Sequence, residues 1–135
     1  MICEKEAQQD IADSAVGFDV VQPPKPVWKD HIYSCDYVYK NGAKMTLSVK
    51  ELSSKEDTDA YYNELQQKLG NKAPQYGLGQ GAFVTDNGSV VVRKDYKVLL
   101  VDVSKLPAQF GDPPDTRSND AINVGVTIMG CWTGE

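Results

Sequence analysis

The sequence predicts an α+β domain with a five-stranded antiparallel sheet, in the order α-ββ-α-βββ-α. Three observations predict it. Asn41-Gly42 and Asn87-Gly88 each sit between β-rich runs, and Asn and Gly tolerate best the positive φ that a two-residue hairpin turn requires. Val90, Val91 and Val92, then Val98, Leu99, Leu100 and Val101, are apolar at alternate and intervening positions alike, as in strands covered on both faces. The segments before and between carry apolar residues at helical spacing. Helices on both faces of such a sheet give a three-layer α/β/α sandwich.

The elements follow in order. Residues 4–16 place Ala7, Ile11, Ala12 and Ala15 on one helical stripe, and Gly17 is a suitable stop. Residues 19–30 read as a loop, because Pro23, Pro24 and Pro26 exclude regular structure and Trp28 is placed to pin it to the body. Residues 31–52 read as a hairpin around Asn41-Gly42. Ser53 and Ser54 open the next helix, Ser53 and Glu56 having the form of a capping box, with Glu56, Asp57 and Asp59 at the positive end. Tyr61, Leu65 and Leu69 form its inward stripe, with Tyr62 beside it, and Gly70 or Asn71 ends it. Gly77-Leu78-Gly79-Gln80-Gly81 has the glycine content of a phosphate loop. It follows a loop, opens a strand and lacks a terminal Gly-Lys-Ser/Thr, so close backbone packing at a strand start is the better reading. Strands then follow over 82–86, 89–94 and 96–104, with reversals at Asn87-Gly88 and at Lys94-Asp95-Tyr96. Pro107, Pro113 and Pro114 make 106–117 a loop. Residues 118–131 close the chain as a helix capped by Ser118 or Asp115.

At 135 residues the chain fits one domain, 1–135, with 41% apolar and 24% charged residues. Fourteen Lys and Arg against nineteen Asp and Glu leave a net charge of −5. That balance argues against nucleic acid and against direct adhesion to anionic lipid. No apolar run reaches the about 18 residues of a membrane-spanning helix. Met1-Ile2-Cys3 has neither a charged n-region nor an apolar h-region before it, so a targeting segment is expected to have preceded Met1. Cys3, Cys35 and Cys131 form no CxxC pair, and the single His31 cannot complete a zinc set. The three cysteines fit either one disulfide with a spare, or three buried thiols in a reducing compartment. No metal, nucleotide or other cofactor is expected.

Cys3 opening the helix CEKEAQQDIADSAVG, the Pro-rich loop leading to Cys35-Asp36-Tyr37, the run Gly77-Leu78-Gly79-Gln80-Gly81-Ala82-Phe83 and the valine-rich hairpin together resemble the uncharacterised cysteine-containing lipoprotein domains of actinobacterial cell envelopes. The resemblance spans most of the chain through short motifs. It implies export behind a lipobox cysteine upstream of Met1, a fold of broadly PsbP-like kind, and a Cys3–Cys35 disulfide. Cys131-Trp132-Thr133-Gly134 departs from that pattern by adding a third cysteine. The family supplies no catalytic residues.

The function expected is therefore a non-enzymatic, extracytoplasmic binding or interaction module, secreted or lipid-anchored. A hydrolase inhibitor presenting loop 106–117 is one alternative, and a small envelope hydrolase is another. For the hydrolase, His31 and Cys35 on one strand would stand about 13 Å apart at ~3.3 Å per residue, too far to share a proton. Cys131 with His31 has no supporting motif, and no pair among the carboxylates stands out. With Asn41-Gly42 as a two-residue turn, Lys40 pairs with Ala43, Val38 with Met45 and Tyr37 with Thr46. Ile32, Val38, Met45, Leu47 and Val49 then form the core face. The opposite face carries Tyr33, Cys35, Tyr37 and Tyr39 beside Lys44, Thr46, Ser48 and Lys50. Tyr33, Tyr37, Tyr39 and Lys44 are the expected partner surface, suited to a polyanionic or sugar-like envelope ligand or to a protein. A Cys3–Cys35 bond would instead cover that face with the first helix or the proline loop.

Overall fold

The computed structural model describes residues 2–132. Helix α1 (Lys5–Ile11) continues through a wider turn over Ala12–Val16 and buries Ala7, Ile11 and Val16. Gly17 ends it at φ 83°, its N–H bonded to the Ala12 carbonyl. Any Cβ there would collide with the Asp112 carbonyl, so the left-handed stop and the close approach both demand glycine. Strands β1 (Val27–Lys29), β2 (Ile32–Val38) and β3 (Lys44–Glu51) precede α2 (Lys55–Leu69). Strands β4 (Ala73–Pro74), β5 (Gly81–Val84), β6 (Val90–Lys94) and β7 (Lys97–Lys105) follow. A small ribbon, β8 (Gln109–Phe110) with β9 (Asp115–Thr116), leads into α3 (Arg117–Trp132).

The main sheet has seven antiparallel strands, not five, in the order β1-β2-β3-β7-β6-β5-β4. The two extra strands are its short edges. β1 forms inside the expected 19–30 loop, just beyond Pro26, where an edge strand tolerates a neighbour without an N–H. Trp28 is 55% exposed and does not pin that loop; Pro24 is its buried residue. β4 ends at Pro74 on the other edge.

Helices cover both faces. On one, α1 and α3 enclose Tyr37, Met45, Leu47, Leu99, Val101 and Val103 together with Ala121, Val124 and Ile128. On the other, α2 lays Tyr61, Tyr62, Leu65 and Leu69 over Phe83, Val91 and Val98. Ser54, not Ser53, caps α2, accepting from the Asp57 N–H at 3.1 Å. Thr116, rather than Ser118 or Asp115, caps α3, accepting from the Asn119 N–H at 3.1 Å.

Neither Asn-Gly hairpin has the expected pairing. Asn41 (φ 65°) and Gly42 (φ 76°) both take the anticipated positive φ. The Tyr39 N–H nevertheless donates to the Ala43 carbonyl, so Lys40 is an extra residue in the loop. Val38 then pairs with Lys44 and Tyr37 with Met45. At Asn87-Gly88, Thr85 meets Ser89 across three residues, and only Gly88 has positive φ. The Thr85 hydroxyl donates to the Asn87 side-chain oxygen, which also accepts from the Ser89 N–H, and this holds the wider loop. A one-residue change of register turns every side chain of a strand to the other face. Hence Met45, Leu47 and Val49 are core as expected, whereas Ile32 and Val38 lie on the α2 side, only partly buried.

The Gly77–Gly81 run is a packing device. A Cβ on Gly79 (φ 58°) would lie 2.6 Å from the Arg93 carbonyl oxygen, and the run inserts Leu78, 5% exposed, under Gly125 of α3. Among the described residues no helix is long and apolar enough to cross a membrane.

Candidate functional site

The expected tyrosine surface is an internal clamp. Cys3 and Cys35 are disulfide-bonded, with Cα atoms 6.0 Å apart. The bond holds the start of the chain against β2, where Ile2 is fully buried. The Tyr37 hydroxyl donates to the Ile2 carbonyl at 2.6 Å. Tyr37 and Tyr39 are 1% and 3% exposed, and burial first, then neighbouring charge, pushes both phenols well above the ordinary tyrosine range. Tyr33 is half-buried, tilted against Trp28 with ring centroids 6.5 Å apart. Lys44 points from the opposite face and pairs with Asp36 at 3.6 Å. The four residues therefore form no common exposed surface: Tyr37 and Tyr39 are buried, and the extra residue at Lys40 puts Lys44 on the other face from the tyrosines.

Tyr39 borders a different site. The β2–β3 tip, the end of β7, the β8–β9 ribbon and the segment after Gly17 enclose an open groove of about 1020 Å³. Three rings line it in sequence. Phe18 meets Phe110 edge-on at 5.3 Å, and Phe110 meets Tyr39 edge-on at 5.1 Å. Such edge-to-face contacts fix ring positions beyond simple area burial. Val20, Val21, Ala43, Pro107 and Pro114 extend the apolar lining. Phe18 is 41% and Val21 53% exposed, so apolar surface is left open to solvent. The walls are tied down: the Val21 N–H donates to the Val38 carbonyl, and the Asp112 N–H to the Val16 carbonyl, both at 2.9 Å. Lys40, Lys105 and Asp19 stand on the rim.

Loop 106–117 contributes a wall of the groove through Pro107, Gln109, Phe110, Gly111 and Pro114. The Arg117 guanidinium donates to the Leu106 carbonyl at 3.1 Å, and Leu106 and Phe110 are buried. Behind the Gly111 wall lies Asp120, 2% exposed, with Oδ2 unpartnered. Burial, then the neighbouring Asp115 charge, pushes its carboxyl up to about 7. The sequence signal for the groove was faint: Phe18 directly after a helix stop and Phe110 inside a proline-rich loop, both apolar where loops are usually polar.

Of the residues weighed for nucleophilic chemistry, Cys35 is consumed by the disulfide, and His31 stacks edge-on against Trp28 at 6.1 Å. Cys131 is a free, exposed thiol 4.0 Å from the Asp10 carboxylate. A disulfide between buried cysteines is compatible with an extracellular location, since such bonds persist in oxidising compartments. Comparison with protein-family models, curated proteins and solved structures gives no match.

Proposed function

We propose that the chain is a non-enzymatic binding module of an exported, lipid-anchored envelope protein, and that it holds a small apolar molecule in the groove. The single observation that carries this reading is the apolar lining of a concavity of about 1020 Å³, in which the exposed Phe18 and Val21 adjoin the largely buried rings of Phe110 and Tyr39. Small-molecule sites are concave, largely apolar and about 300–1,000 Å³ in volume. The walls come from four separate elements cross-tied by backbone hydrogen bonds, which supports a preformed site. The Cys3–Cys35 staple supports export, and the layering of helices on both sheet faces is in keeping with a broadly PsbP-like kinship.

Titration with Nile red, a neutral apolar dye, tests the proposal. Saturable binding is expected for the wild type and at least a tenfold loss for Phe18→Ser. Phe18 is half-exposed, so that substitution leaves the fold intact by circular dichroism. Absent saturable binding, or unchanged binding by Phe18→Ser, overturns the groove as the site.

A further inference from the structure

We infer that the groove selects amphiphilic acids: free molecules with an apolar body and one carboxylate head. This inference rests on the groove being a ligand site. Two of its lining side chains, Lys40 and Lys105, are exposed and have no carboxylate partner among the described residues. Both lysines line the groove, whereas Lys44 does not and is paired with Asp36. An anion held between Lys40 and Lys105 would offset their charge.

The apolar row below the rim sets the rest of the ligand. Phe18, Phe110 and Val21 contact an alkyl or aryl body while the head stays at the solvent-facing lysines. Asp19 is the sole acid among the described lining residues, which favours one head charge over several and argues against a polyanion. The site lies in a concavity bounded by the β2–β3 tip and the ribbon, so a single free molecule fits it better than a bilayer surface.

The test compares dodecanoate with dodecanol, below their aggregation concentrations, by isothermal titration calorimetry on the intact chain. Two solvent-exposed ion pairs predict about tenfold tighter binding of dodecanoate. Lys40→Gln with Lys105→Gln should erase that preference and leave dodecanol affinity unchanged. In the wild type, raising NaCl from about 20 to about 500 mM should weaken dodecanoate alone, a readout that needs no variant. Equal affinities, or a preference that survives both the substitutions and the salt, overturn the inference while leaving the apolar site standing. Binding of neither compound removes the site itself. Binding to phosphatidylglycerol vesicles but not to dodecanoate overturns the choice of a free acid.

Discussion

The two faces of the sheet are closed in different ways. Beneath α1 and α3, one continuous set of side chains runs from Ile2 through Tyr37, Leu47 and Val101 to Ile128, each 1% exposed or less. A disulfide and the Tyr37–Ile2 hydrogen bond close that layer at β2. Beneath α2, the fully covered residues are Phe83, Val91 and Val98. The helix rests on β5, β6 and β7, while Ser34, Asp36, Thr46 and Ser48 remain partly or fully open on β2 and β3. The α2 side chains contribute half-buried rings and surface charge: Tyr62 lies under the Arg93 guanidinium at 5.6 Å, and Arg93 pairs with Asp59. Apolar burial stabilises at about 25 cal/mol per Å², whereas exposed ion pairs contribute little. Most of the fold's stability therefore resides on the α1/α3 face, and α2 is the layer able to open first.

The largest expected effect lies on that stronger face. Replacing Cys3 and Cys35 together by Ala frees a sequence separation of 32 residues in the unfolded chain. The chain-entropy treatment puts the loss at about 3–4 kcal/mol. Urea denaturation of the double variant measures it. A loss below ~1 kcal/mol would mean that α1 is held by burial of Ala7 and Ile11 alone and that the staple adds nothing to the contrast.

How much of this contrast could be read from sequence depended on register. The helices over 4–16 and 118–131, the valine strands and the α+β class follow from periodicity, which depends on neighbours three or four positions away. Which face of β2 is buried depends on a single residue. Asn41 and Gly42 adopt the expected φ, yet Lys40 is inserted beside them, and nothing in Tyr39-Lys40-Asn41-Gly42-Ala43 signals that insertion. Tyr37, with a polar tip that suits a surface equally well, gave no opposing signal. The Cys3–Cys35 bond implied by the resemblance was the opposing constraint: Cys35 shares a face with Tyr37 and Tyr33, so the bond to Cys3 covers that face, as the alternative reading held. The groove was still less legible, because Phe18, Tyr39 and Phe110 come from segments far apart in the chain and meet only through tertiary packing.

A second, pH-dependent effect also belongs to the α1/α3 face. Asp120 has its carboxyl raised from 3.8 to about 7 in the folded chain, by burial and then by Asp115. The folded state thus holds this proton more tightly than the unfolded state does. Its favourable contribution is complete below about pH 4 and is lost as pH rises through about 7. Every tenfold gain in proton affinity on folding corresponds to about 1.4 kcal/mol. Asp120→Asn keeps the shape and removes the charge. The difference in urea stability between variant and wild type should be near zero at pH 4 and favour the variant by pH 8. A difference independent of pH would show that Asp120 is ionised throughout and that this face tolerates a charge.

The smallest effect tests the weaker layer. Ser54 is extended (φ −151°, ψ 164°), and its hydroxyl accepts the Asp57 N–H, one of the unpaired donors at the α2 start. The buried Thr58 hydroxyl donates to the Ser54 carbonyl at 2.7 Å, so the backbone at this cap is held from both sides. Ser53, one residue earlier, reaches the Asp57 carboxylate at 3.2 Å in an exposed setting and caps nothing. Ser54→Ala should therefore cost about 1 kcal/mol, and Ser53→Ala only a few tenths at most, in keeping with an exposed surface change. Because α2 carries little of the core, the loss should appear chiefly as local opening. Amide hydrogen exchange should accelerate about fivefold across 57–69, while the α3 amides over 121–129 remain close to their wild-type rates. Equal acceleration in both helices would show that α2 and α3 unfold together, and the two faces would then form one cooperative unit rather than a strong layer and a weak one.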